Sequence, residues 1–196
     1  MDEIAELRAR AEQGDAEAQF ALAVRYDNAE GLPRDPVAAA NWYRFAADSG
    51  HGLAQLHLGL MFNVGDVGFE RDDQEAVAWF LKAAERGVPD AQFNLGLMYY
   101  NAEGVEQNDV EAFRWFTASA EQGHAKAQFN LGALYANGHG VTVDHLAAYR
   151  LWLMASMQGE SNANANLAMM REKVTAEEAD VAQTAAVDWF NEQQDH

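Results

Sequence analysis

Asparagine is the residue whose type and spacing could do most in this chain. Asn94, Asn130 and Asn166 recur at intervals of 36 residues, and Asn101 and Asn137 repeat that interval seven positions later. A carboxamide carries donors and an acceptor on one small group. A row of them can pair with the backbone of an extended peptide without reading its side chains. On the other reading the amides bond to nearby helix backbone or to water. Both readings stand at the level of sequence.

Other reactive groupings are few. His139 and His145 lie near Asp144, which suggests a metal, but one falls in a loop, one at a helix start, and no fourth ligand is in view. Glu177 and Glu178 fall in the first turn of a helix, where negative charge is favoured in any case. The absence of cysteine removes disulfides and thiolate metal sites. There is no glycine-rich phosphate loop, His-Glu-x-x-His, nucleophile elbow or Ser-x-x-Lys. The sequence assigns no catalytic residue, no metal and no cofactor.

What positions the asparagines is a repeat. The run Ala-Gln-Phe-Asn-Leu-Gly at Ala91 returns at Ala127, with looser copies from Ala18, Ala54 and Ala163, spaced 36, 37, 36 and 36 residues apart. Self-similarity at this period marks an array of helical hairpins. Each unit reads as helix A, a loop and helix B. Helix A is expected over 15–28, 51–63, 88–101 and 124–137. Helix B opens at Asp35, Asp72, Asn108 and Asp144, all good N-cap types. Gly14, Gly50, Gly87, Gly123 and Gly159 stand where each helix B should stop. The least regular loop, Val64 to Arg71, carries Phe69.

The expected fold is all-α: a right-handed α-α superhelical solenoid of antiparallel helix pairs, forming one domain over 1–196. Its parts are an N-terminal capping helix within 1–14 (opening at Asp2), repeats at about 15–50, 51–87, 88–123 and 124–159, and a degenerate repeat with a C-terminal capping helix over 160–196. Thr175 to Glu178 reads as a capping box opening that last helix. Small residues at Ala23, Gly59, Gly96 and Gly132 imply a neighbouring helix crossing with no room for a side chain. Helix B supplies bulky pairs: Trp42-Tyr43, Trp79-Phe80, Trp115-Phe116 and Leu151-Trp152. Gln19, Gln55, Gln92 and Gln128 fall on the packed side and are expected to bond across adjacent repeats.

These features resemble the Sel-like repeat family, relatives of tetratricopeptide repeats. The resemblance rests on Glu121-Gln122-Gly123-His124, the Ala-x-x-Leu-Gly core, the Gly-Val/Leu loop and the Trp-Phe pair before two small residues. It implies a superhelix with A helices lining the concave side, and an adaptor or scaffold role. Some secreted members are disulfide-rich and linked to penicillin binding, a branch that a chain without cysteine fits poorly.

On a helical wheel, residues 90, 94, 97 and 101 fall within about 60° of one another. This narrow stripe is what a packed A helix can offer a partner. In the third repeat it is Asp90, Asn94, Leu97 and Asn101, and in the fourth Lys126, Asn130, Ala133 and Asn137. The fifth copy gives Asn162, Asn166, Met169 and Lys173. The second gives Leu53, His57, Leu60 and Val64, and is apolar.

With 31 Asp+Glu against 13 Lys+Arg, the formal charge of -18 repels phosphate backbones, so no nucleic-acid partner is expected. It favours a neutral or basic peptide or protein. No apolar run reaches the roughly 20 residues of a membrane span, and no apolar leader opens the chain, so a cytoplasmic location is expected. The expected state is a monomer, with weak self-association through the apolar second repeat and Phe69 as a further reading. The leading functional expectation is a non-enzymatic interaction scaffold. The alternative is a hydrolase or cell-wall ligand-binding protein.

Overall fold

The structure, a computed structural model, describes residues 3–66 and 68–194. Asp2, expected to open the first helix, and Val67 of the second loop lie outside the described residues. Among the described residues there are eleven helices and no strand, the expected all-α solenoid class. In order they are α1 (Glu3–Glu12), α2 (Ala16–Asn28), α3 (Pro36–Asp48), α4 (Gly52–Val64), α5 (Asp73–Glu85), α6 (Pro89–Asn101), α7 (Asp109–Glu121), α8 (Ala125–Asn137), α9 (His145–Met157), α10 (Asn162–Met170) and α11 (Ala176–Gln194). They fall into two compact units. The first comprises the residues up to Ala91 with Glu103–Val105, the second Gln92–Ala102 with the residues from Glu106 onward.

The termini of the helices explain why the chain breaks where it does. Asp35, Asp72, Asn108 and Asp144 each accept a first-turn amide of the B helix they open. The A helices use a cap that the sequence did not advertise. Asp15 caps α2, but His51 and His124 cap α4 and α8, their Nδ1 atoms accepting from the Ala54 and Ala127 amides. Each B helix, and α1 before them, is followed by a glycine at φ between 83° and 93°. An L side chain there would crowd its own carbonyl, so glycine sets the reversal into the next element.

Within each hairpin, one aromatic residue of helix B fills the gap above the small residue of helix A. A Cβ added to Gly59, Gly96 or Gly132 would lie 2.7 Å from the ring of Phe80, Phe116 or Trp152 respectively. The expected crossing helix is therefore corrected in detail: a side-chain ring, not a backbone, takes the space. Trp152 explains why the tryptophan of the last bulky pair stands one position later than in the others. It occupies the ring position itself, and its Nε1 donates to the Phe129 carbonyl at 2.9 Å. In the first hairpin the ring is Tyr43, in one cluster with Ala23; burial pushes its phenol up to about 12.

The glutamines tie consecutive repeats together. Nε2 of Gln19, Gln55 and Gln128 donates to the carbonyl of Ala11, Ala47 and Ala120 in the preceding repeat. On the other side, Gln92 and Gln128 accept from Gln122 and Gln158 of the following C-cap, both at 2.7 Å. A loop glycine makes a further tie. A Cβ on Gly104 or Gly140 would stand 2.2 Å from the carbonyl oxygen of Asp73 or Asp109, so only glycine lets each loop lie on the start of the preceding B helix.

At the C-terminal end, α11 opens with the expected reciprocal capping box: Thr175 N–H donates to Glu178 Oε2 and Glu178 N–H to Thr175 Oγ1. The Thr175 N–H and, with it, the Thr175 hydroxyl donate to the Glu178 carboxylate and hold it below its usual range. Ala179, Ala182 and Ala186 form the buried stripe of α11 against α9.

Candidate partner-binding surface

In the first unit the stripe of α4 is exposed at its two ends. Leu53 is 45% and Val64 is 70% exposed, while Leu60 is half-buried. His57 behaves differently from its neighbours. Its ring stacks on Tyr43 at 4.5 Å and 5°, with Phe20 at 5.9 Å. Burial lowers its pKa, partly opposed by Asp27, so the neutral ring is the form that packs. Phe69 lies edge-on to Phe62 at 4.8 Å with Arg44 above its face, which spends that ring within the unit.

In the second unit Asn94, Leu97 and Asn101 lie on α6, with Leu97 packed against the Ala112–Phe116–Leu131 cluster. On α8, Asn130 Nδ2 donates to Lys126 O at 2.8 Å, and Asn137 Nδ2 to Ala133 O at 2.9 Å. Each of these two amides is thus steadied by its own helix backbone, four residues back. That bond orients the group and leaves its carbonyl oxygen to accept from elsewhere.

Two of the five recurrent asparagines come together in one lining, and Asn94, Asn101 and Asn130 are not part of it. Asn137 and Asn166 line a cavity of about 300 Å³ with Ala133, Ala136, Met169, Met170 and Lys173. Its remaining wall is helix B, through His145 and Trp152. Five of the stripe positions read from the fourth and fifth copies (Ala133, Asn137, Asn166, Met169 and Lys173) therefore line one cavity. His145 and Trp152 were missed, one considered for a metal and the other assigned to the core. The Nδ1 of His145 is buried there without a hydrogen-bond partner. The one-position shift of the tryptophan in the Leu151-Trp152 pair is the sequence signal that could have found Trp152. Among the described residues no group of three or more His, Asp or Glu comes together to hold a metal. Nor, among the described residues, is any helix long and apolar enough to cross a membrane.

The lining mixes polar side chains (Asn137, His145, Asn166 and Lys173) with apolar ones (Ala133, Ala136, Met169 and Met170).

Four stretches of the chain, 16–51, 52–88, 89–124 and 125–160, match the Sel1 repeat model. No curated protein matches the sequence. Among solved structures, the chain is similar to a protective antigen present in uropathogenic Escherichia coli strains displaying an SLR fold. That match has 36% identity and a TM-score of 0.81 over 88% of this chain, which spans only 37% of the antigen's length. It is also similar to a Sel1 repeat protein from Oxalobacter formigenes, at 29% identity and TM-score 0.75, over 90% of this chain and 74% of that one. An immunity protein from Pseudomonas aeruginosa, 23% identical with TM-score 0.51 over 82% of this chain and 59% of its own, shares the fold alone.

Proposed function

Because the chain belongs to the Sel1 repeat family, we propose that it is an interaction scaffold that holds an extended peptide or partner segment on the A-helix stripe of its second unit. Sel1 repeats commonly mediate protein–protein interactions and are generally non-catalytic. The observation that carries the finer reading is the one cavity lined by Asn137, Asn166, Met169 and Trp152. Asn130 and Asn137 are pre-set by their own helix, so their carbonyl oxygens can accept peptide N–H groups without first losing rotamer freedom. Met169, 64% exposed, offers an adaptable apolar contact for the side chain between. The surplus of carboxylates favours a neutral or basic segment and speeds its approach. Asn94, Leu97 and Asn101 extend the same reading along α6. In the first unit, exposed Leu53 and Val64, with Leu60 and the neutral His57, would offer an apolar surface of their own.

The test begins with selecting peptides from a random library on the intact protein. Their affinities are then measured for Asn137→Ala/Asn166→Ala and for a control, Val37→Ser, on the exposed surface of the first unit. Loss of about tenfold or more in the double variant, with the control unchanged, is the expected result. Unchanged affinity of every selected peptide for the double variant would reject the amide row.

A further inference from the structure

The first unit holds a second cavity, of about 340 Å³, at the C-terminal ends of α3 and α5. Its lining brings together Ala47, Gly50, Gln55, Trp79, the cations Lys82 and Arg86, and the carboxylates Asp48 and Glu85. Gln55 is 3% exposed, and its Oε1 has no hydrogen-bond partner. A buried carbonyl left unpaired costs roughly 1–3 kcal/mol.

The other repeats show what is missing. The oxygens of Gln92 and Gln128 accept from Gln122 and Gln158, the residues that end α7 and α9, and that of Gln19 faces Ser49 Oγ at 3.5 Å. In this repeat the same C-cap position is Arg86. Its guanidinium lies instead beside Gly50, where a Cβ would come within 2.9 Å of Nη2. Lys82 Nζ sits 3.6 Å above the Trp79 ring. Neither cation is spent on an ion pair among the described residues. The cavity thus combines an acceptor lacking its donor, two cations and an aromatic wall.

We propose that this cavity takes the free carboxyl end of a peptide. The terminal carboxylate lies between Lys82 and Arg86, the last amide N–H donates to Gln55 Oε1, and the terminal side chain rests on Trp79 and Ala47. A peptide end carries one negative charge and an N–H donor a few atoms apart, which is the pair the site lacks. A simple carboxylate supplies the charge without the donor. Asp48 and Glu85 repel any anion there, a doubly charged phosphate more than a singly charged carboxylate, whose one charge Lys82 and Arg86 offset. The inference does not depend on the amide row, which lies in the other unit.

Three probes test it on the intact protein by ¹⁵N–¹H NMR titration: N-acetylalanylalanine, its C-terminal amide, and acetate. The acid should shift the Gln55 side-chain amide, the Gly50 amide and the Trp79 indole, and bind about tenfold or more tighter than the other two. Arg86→Gln restores the glutamine found at the end of α7 and α9. It should abolish acid binding while leaving the melting temperature equal or higher, because Gln55 Oε1 regains a donor. Acid and amide binding alike, acetate matching the acid, or acid binding undiminished in Arg86→Gln would each overturn the proposal. So would the absence of any shift at about 10 mM probe, beyond the weakest specific affinities.

Discussion

Gln55 and Gln128 occupy the same place in two repeats, and both donate to the alanine carbonyl eight residues earlier, at 3.1 and 3.3 Å. Their oxygens differ: Gln128 accepts from Gln158 at 2.7 Å, and Gln55 from nothing. The surfaces nearby differ in the same sense. In the first unit the stripe of α4 is Leu53, His57, Leu60 and Val64; in the second, α8 and α10 present Asn130, Asn137 and Asn166. The ring-on-glycine contact, the N-cap of helix B and the positive-φ glycine after it are common to both. The repeat frame fixes what holds a hairpin together. The stripe and the C-cap residue stay free to vary, and both candidate sites lie there.

The largest expected effect breaks the shared frame. Gly140→Ala places a Cβ against the Asp109 carbonyl at a positive φ, and should cost about 2–5 kcal/mol, read by urea denaturation. If its midpoint matches wild type, the loop does not lie on the preceding helix. Gly96→Leu drives a side chain into the Phe116 ring and should cost about 1–3 kcal/mol, or several degrees in Tm. An unshifted melting temperature would mean the ring has somewhere else to go.

The next test bears on the two glutamines directly. Gln128→Met leaves both the Ala120 carbonyl and the Gln158 amide without Gln128, whereas Gln55→Met breaks one bond and removes an oxygen that had none. Gln128→Met should therefore be the more destabilising, by about 0.5–1.5 kcal/mol in parallel denaturant titrations. Equal losses would remove the distinction on which the second cavity rests.

A pH comparison isolates the first unit. Burial depresses His57, so the unfolded chain binds a proton more readily than the folded one below the ordinary value of 6.5. The stability that the neutral ring contributes is complete above 6.5 and is lost as pH falls toward the depressed folded value. His57→Phe keeps a ring on Tyr43 and removes the titration. Its Tm should fall less than that of wild type between about pH 7.5 and 5. The smallest effect concerns the ends of α2 and α4. Ala29 sits at φ 60° where Gly65 takes the same role, so Ala29→Gly should stabilise by about 0.5–1 kcal/mol in thermal melts.

Much of the fold was legible because its causes are local. An Asp or Asn four residues before a recurrent alanine, and a glycine after the last turn, are short-range signals, and they mark the ends of the B helices. Histidine caps were not legible, since only the ring's orientation lets Nδ1 of His51 and His124 accept an amide. Nor was the ring above each mid-helix glycine, because small-residue spacing says that something is close and not what it is. For the site, the wheel grouped Ala133, Asn137, Asn166, Met169 and Lys173 correctly, since 3.6-residue geometry decides a helix face. It could not show that Asn130 and Asn137 bond to their own helix, or that His57 is stacked on Tyr43. Both depend on rotamers, which periodicity does not encode.

The most direct test of the partner-binding account is a ¹⁵N–¹H NMR titration of the intact protein with a peptide selected from the library. The account predicts that shifts gather on the side-chain amides of Asn137 and Asn166 and on the backbone of His145 and Met169. Shifts confined to α11 or to the outer face of the B helices, with those four residues unmoved, would contradict it.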